Sequence, residues 1–148
     1  MSPNTSIQYV EFSVFAHATE DVDKVIEATC NVVPSEHTGQ IVFVRTQLTG
    51  YYGNSIVLLE TTVKDQEVLR GIVRKLSEGL TSLDKEVLSR EIERFVEKGN
   101  LYVRLNKQSA FNKVLELDQS DPIRLRIHFK SGKLGEIVEI CRDLGLFA

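Results

Sequence analysis

The sequence predicts an α+β fold, with an antiparallel or mixed sheet and helices mainly on one face. Three observations predict it. Runs with an apolar residue at every second position share the chain with runs at helical spacing. Two β-type runs, 41–48 and 55–63, are joined by the short connection Gly50-Tyr51-Tyr52-Gly53-Asn54, which reads as an antiparallel hairpin. The order is strand, helix, two strands, two helices, strands, helix, with strands joined by hairpins and helices set apart. A length of 148 residues fits one domain spanning 1–148, with a weak subdivision near residue 80 as the alternative.

The elements follow in order. Over 7–18, Val10, Phe12, Val14 and Ala16 alternate with Glu11, Ser13, Phe15 and His17, so this is a strand with one apolar face. Thr19 is placed to cap a helix whose first turn carries Glu20, Asp21 and Asp23, the charges that suit the positive end of the helix dipole. Val22, Val25, Ile26, Thr29 and Val33 recur at helical spacing until Pro34, which has no N–H to continue the ladder. Residues 35–40 are polar and contain Gly39, which predicts a loop.

The stretch 41–48 is apolar on both faces except for Arg45 and Gln47. Asp65 caps a helix with Val68, Leu69, Ile72, Val73 and Leu76 inward and Gly79 after its end. Ser82 is placed to cap the next, with Val87, Leu88, Ile92, Phe95 and Val96 inward, a favourable Glu86–Arg90 pair outside, and Gly99 beyond. Strands are predicted over 101–106, 113–118 and 123–129. The last helix carries Leu134, Ile137, Val138, Cys141 and Leu144 on one stripe.

Composition bounds the function. Hydrophobic residues make up 42% and charged residues 26%, enough for a core and unlike a disordered chain. A net charge of −3 and a pI of 5.7 argue against a uniformly basic nucleic-acid binder, so any such site must be local. No apolar run of the roughly 18 residues a membrane span needs is present. Residues 1–6 show no secretory signal, and the expected location is cytoplasmic. Cys30 and Cys141 sit in apolar helical patterns and read as buried thiols, with a single disulfide between them left open.

The most informative stretch is 101–111. Leu101, Val103 and Leu105 face one way, while Tyr102, Arg104 and Asn106 face the other and Lys107 and Gln108 follow at once. An aromatic ring, a guanidinium and an amide suit a phosphate or a base edge. They suit acid–base or nucleophilic chemistry poorly, since no carboxylate, His or Cys lies among them. Arg124, Arg126 and His128 share one side of a second strand. Between Gly99 and Lys133 seven basic residues face three acidic ones, a local reversal within an acidic chain. A solvated strand face is also commonly rich in Arg, so the pattern alone does not decide.

Gly50 and Gly53 permit positive φ and let backbone amides approach an anion, and Tyr51 and Tyr52 offer faces for unpaired bases. The plainer reading is a tight hairpin with one Tyr on the sheet. Lys107-Gln108-Ser109-Ala110-Phe111 either grips a phosphate or is a strand exit with Phe111 in the core. No metal-ligand spacing links His17, His37 and His128, and no cofactor or catalytic residue is implied. Glu20, Asp21 and Asp23 read as dipole compensation rather than a hard-cation site.

Three stretches taken together carry a resemblance: 17–25, from His17-Ala18-Thr19-Glu20-Asp21 through Lys24; 50–56; and 101–111 followed by Asp121-Pro122-Ile123. In the same order along nearly the whole chain, they are similar to a family of small archaeal proteins predicted to bind RNA, some of them described as exosome-associated. The resemblance implies a fold like that of the ribosomal protein that binds the smallest large-subunit rRNA, and no catalytic residue or cofactor. Its motif positions fall on Thr19, Glu20 and Lys24, on the 50–54 loop, and on Arg104, Lys107 and Gln108. This chain has Ala18 where the family usually has Pro, Tyr51 and Tyr52 where it often has His, and Asn106 where it has Asp.

The leading expectation is therefore a non-enzymatic RNA-binding domain. Arg104, Lys107, Arg124 and Arg126 contact phosphates, Tyr51 and Tyr52 stack, and Gln108, Gly50, Gly53 and Asn54 add polar or backbone contacts. Arg104→Ala and Lys107→Ala should each weaken binding and shallow its salt slope by about one. The alternatives are a scaffold subunit of an RNA-processing complex, or a homodimer formed through a sheet edge or the Val57–Leu59 face. A third is an enzyme acting on a phosphorylated small molecule at the glycine loop.

Overall fold

In the computed structural model, which describes residues 6–147, six strands form one antiparallel sheet in the order β2-β3-β1-β6-β5-β4. The strands are β1 (Ile7–His17), β2 (Val44–Thr49), β3 (Ser55–Val63), β4 (Val96–Glu97), β5 (Asn100–Leu105) and β6 (Ile123–Phe129). The helices are α1 (Val22–Cys30), α2 (Gln66–Gly79), α3 (Ser82–Arg90), α4 (Ile92–Phe95), α5 (Lys107–Phe111) and α6 (Leu134–Asp143). The N-terminal stretch read as lacking a secretory signal lies almost wholly outside the described residues. Among those described, no helix is long and apolar enough to cross a membrane.

The period-two pattern explains the two faces of the sheet. Val10, Phe12, Val14 and Ala16 of β1 are buried with Leu59 and Val63 of β3, Ile123, Leu125, Ile127 and Phe129 of β6, and Leu101, Val103 and Leu105 of β5. Strand register makes this one continuous surface: Val14 lies opposite Leu59, Phe12 opposite Leu125, and Val103 opposite Leu125. The apolar stripes of the helices complete the core against it. Val68, Leu69, Ile72, Val73 and Leu76 of α2 are all buried, as are Val25 and Ala28 of α1 and Ile137 and Cys141 of α6. Removal of this much apolar surface from water is the main stabilising contribution. The sheet's other face keeps its side chains half-buried or exposed, apart from Asn100, which is buried.

Several boundaries differ from the sequence expectation for local reasons. Asp21, not Thr19, caps α1, accepting from Asp23 N at 2.9 Å, because Thr19 is taken up in a turn closed by Glu20 N donating to His17 O. Thr81, not Ser82, caps α3 through its hydroxyl. Gly79 lies inside α2, and 35–40 is a short 3-10 helix rather than an irregular loop. Residues 113–118 are not a strand. Lys113 takes a φ of 63°, which breaks the extended run, and only Leu117 bridges to Leu105.

The stretch 107–111, read as a loop or a strand exit, is the short helix α5, capped by Asn106 through Ser109 N at 2.8 Å. Leu134 is 40% exposed and leaves the α6 stripe. The Val57–Leu59 face, a candidate contact surface, is turned to the core, with Leu59 fully buried. Cys30 is half-buried and Cys141 buried, and both are free thiols. Burial pushes the Cys141 thiol up to about 12, so it is inert at neutral pH.

Candidate nucleic-acid interface

The uncovered face of the sheet is built from the outward residues of every strand. In one row across it, Val44, Glu60, Ser13, Arg124 and Arg104 come from β2, β3, β1, β6 and β5 in turn. The neighbouring row toward one end runs Thr62, Glu11, Arg126 and Tyr102. Toward the other end, Thr46, Leu58 and Phe15 are cross-strand neighbours. The face is thus cationic and aromatic over β6 and β5, and apolar over β3 and β2.

The three arginines lie over rings. Arg104 and Arg124 both lie over Tyr102, at 5.4 and 5.6 Å from its centroid, and Arg126 lies over Tyr9 at 5.6 Å. Tyr9 stacks in turn on His128 at 4.7 Å. His128 is fixed by Asn100: the Asn amide donates to Glu97 O, so its oxygen accepts from His128 Nδ1 at 2.7 Å. Stacking of this kind holds long side chains in place and lowers the entropy lost when they grip a ligand.

Glu11 sits between two of the guanidiniums, 3.3 Å from Arg126 and 3.8 Å from Arg124. One carboxylate against two arginines leaves an excess positive charge. Arg104 has no carboxylate partner among the described residues. The Nε–H groups of Arg124 and Arg126 are buried without an acceptor there.

Lys107 stands apart from this set. Its ammonium donates to Phe15 O at 2.6 Å, Glu20 Oε1 at 3.0 Å and Asp121 Oδ2 at 2.9 Å. Three N–H groups meet three acceptors, and the side chain is only 12% exposed. No donor remains for a phosphate. His17 Nε2 donates to the other oxygen of Asp121 at 3.0 Å. The oxygens of Glu20 and Asp121 and a ring nitrogen of His17 lie within 4.8 Å of one another, a grouping of metal-ligand types that the linear spacing of histidines gave no means to find. Lys107 already supplies the cation there.

Asp121 is held below the usual carboxylate range. Its burial acts upward, but the hydrogen bonds and charges of Lys107 and His17 together outweigh it. Gln108 is exposed on α5. It lines a separate depression of about 270 Å³ between α1 and α5 with Lys24 and Phe111.

The 50–54 loop closes the β2–β3 hairpin through Gly50 N donating to Asn54 O at 2.7 Å and Gly53 N donating to Gly50 O at 2.9 Å. Gly53 has a φ of 78°, and a Cβ on Gly50 would meet the Asn54 side chain at 2.5 Å, so both glycines serve the turn. Neither tyrosine packs on the sheet. Tyr51 and Tyr52 are 94% and 90% exposed and meet each other edge-on at 4.9 Å.

The arginines with their supporting rings therefore lie on one open face, the tyrosine pair lies at a hairpin tip, and Lys107 and Gln108 lie elsewhere. Sequence reasoning missed Phe15, Glu60 and Ser13. Their outward register was legible in β1 and β3. Their place beside the arginines depends on β1 lying between β3 and β6, which no local pattern encodes.

Comparison with known proteins adds a family. Residues 9–129 match the model of a family described as RNA binding. The chain is 32% identical over 125 residues to an RNA-binding protein of Pyrococcus abyssi, covering 82% of this chain and 81% of that one. It is 33% identical over 127 residues to an uncharacterised protein of Methanocaldococcus jannaschii, covering 82% and 83%. A solved structure from Methanothermobacter thermautotrophicus superposes with a TM-score of 0.77 at 32% identity, covering 93% of this chain and 97% of that one.

Proposed function

The chain belongs to this family described as RNA binding, and from that premise we propose that it binds RNA through the open face of its sheet without catalysing a reaction on it. The observation that carries the reading is the cross-strand pair Arg104 and Arg124, both lying over one tyrosine on a face that no helix among the described residues covers. Two arginines on adjacent strands, their backbones roughly 4.8 Å apart, suit the oxygens of a backbone phosphate or of two adjacent ones. Arg126 extends the cationic row along β6. The acidic total charge is consistent with this, because the contact is local and steering acts over about a Debye length. Tyr51 and Tyr52, presented at the hairpin tip, supply stacking surfaces at a distance from the arginines.

The test is fluorescence anisotropy with a labelled single-stranded RNA across a salt series. Arg104→Ala and Arg124→Ala should each weaken binding and shallow the log–log salt slope by about 0.7, the value for one phosphate contact on a single strand. Unchanged slopes in both variants would remove the sheet face from the proposal.

A second reading is a homodimer, favoured by β2. This edge strand is exposed along its whole length, its first residue Val44 is 64% exposed, and Val42 just before it is 76% exposed. Edge-to-edge pairing of two copies predicts a concentration-dependent dimer in sedimentation that Val44→Lys abolishes. A monomer at all concentrations removes this reading.

A further inference from the structure

Where the cationic and apolar halves of the open face meet, the sheet carries a concavity of about 450 Å³. Its floor is Phe15, 42% exposed, beside its cross-strand neighbour Leu58. Pro122 lines it as well, and so does Asp121, whose two oxygens are taken up by His17 and Lys107. In the lateral row Arg124 and Arg104 lie on one side of Ser13 and Glu60 on the other. Glu60 has no hydrogen-bond or ion-pair partner among the described residues, although Glu11, Glu20 and Asp121 all have one. Two strand spacings, about 10 Å, separate the Glu60 and Arg124 positions. That is the span of a nucleotide from its phosphate to the far edge of its base.

We propose that this concavity holds one unpaired guanine nucleotide of the RNA, its base on Phe15 and Leu58, its phosphate on Arg104 and Arg124, and its Watson–Crick edge on Glu60. The inference rests on the RNA-binding reading and adds the identity of the base. An ionised carboxylate only accepts hydrogen bonds. Guanine alone among the four bases presents two adjacent donors on that edge, N1–H and the 2-amino group, which match the two oxygens of Glu60. Uracil presents one donor between two carbonyls, and the carbonyls repel the carboxylate. Adenine and cytosine each present one donor beside an acceptor. Phe15 and Leu58 select an unpaired base, because a base within a duplex cannot lay its face on them. The two ends of the site thus recognise opposite ends of the same nucleotide by opposite charge.

The experiment uses the full chain and three labelled uridine-rich oligoribonucleotides, identical except that the central residue is guanosine, inosine or uridine. The guanosine oligomer should bind about tenfold more tightly than the uridine one, within the range a good bidentate base contact gives. Inosine, which lacks the 2-amino donor, should fall between them. Glu60→Gln, an isosteric change, should bring the three affinities together while the dependence on Arg104 and on salt persists. RNA binding that depends on Arg104 but shows no guanosine preference in the wild type overturns the base assignment and leaves the RNA reading standing. Binding of none of the three oligomers overturns both.

Discussion

Lys107→Met should lower the free energy of unfolding by roughly 2–4 kcal/mol, read from urea denaturation at neutral pH with an unchanged m-value. The methionine keeps most of the aliphatic stem and removes the three donors. It leaves Phe15 O without its partner and places the Glu20 and Asp121 carboxylates, both in contact with the same ammonium, against each other unscreened. Breaking a fully buried pair costs about 3–5 kcal/mol, and the figure is reduced here because Glu20 and Asp121 are 30% and 43% exposed. Lys107→Arg should not restore stability, since a planar fork does not direct three donors to a carbonyl and two carboxylates on different elements. Because the ammonium has no free donor, Lys107→Met should leave the salt slope of RNA binding unaltered. A loss below about 1 kcal/mol would show that this cluster does not brace the fold.

The same cluster fixes a pH dependence. Asp121 is held below its ordinary value, because the hydrogen bonds and charges of Lys107 and His17 outweigh the upward effect of burial. Asp118 is lowered too, by the Ser120 backbone N–H and then the Asn106 amide. A carboxyl whose folded value lies below its unfolded value binds fewer protons when folded. Its stabilisation is therefore complete above the unfolded value near 4 and is lost as pH falls through the folded value. The protein should lose stability in acid below about pH 4, and Lys107→Met should reduce the Asp121 share of that slope to what His17 sustains while Asp118 keeps its own.

Much of the frame was legible in the sequence because it depends on local period. The alternation in β1 and β6, the Asp65 cap and the α2 stripe follow from residues within a few positions of each other. The inward and outward sets of β5 follow from the same rule. What was not legible depends on which distant elements meet. Lys107 was an apparent phosphate ligand because its partners, Glu20 and Asp121, are 87 and 14 residues away and on other elements. The short helix 107–111 was hidden because Asn106 reads equally as a strand residue and as a cap until its side chain is seen to accept from Ser109 N. Glu11 read as a solvated outward residue of β1 until β6 was placed beside it, which brings it against Arg124 and Arg126.

That position of Glu11 separates the sheet-face reading from any account based on net charge. The double variant Arg104→Ala/Arg124→Ala should lose between about one and two orders of magnitude of RNA affinity at moderate salt, the sum of two phosphate contacts and their released counterions. Its fold should remain, since Arg124 is 40% exposed and its ion pair to Glu11, at 3.8 Å, is a weak one. Glu11→Gln should act in the opposite direction. The carboxylate now competes with RNA phosphate for Arg124 and Arg126, so its neutralisation frees both guanidiniums and raises affinity several-fold. A neutralised carboxylate elsewhere on the surface, such as Glu93→Gln on α4, gives the same change in net charge and should raise affinity far less. If Glu11→Gln and Glu93→Gln raise affinity equally, attraction is diffuse and the arginine face is not the contact. If Glu11→Gln alone tightens binding and replacement of both its partners, Arg124→Ala/Arg126→Ala, abolishes that gain, the phosphates lie where β1 and β6 place these side chains.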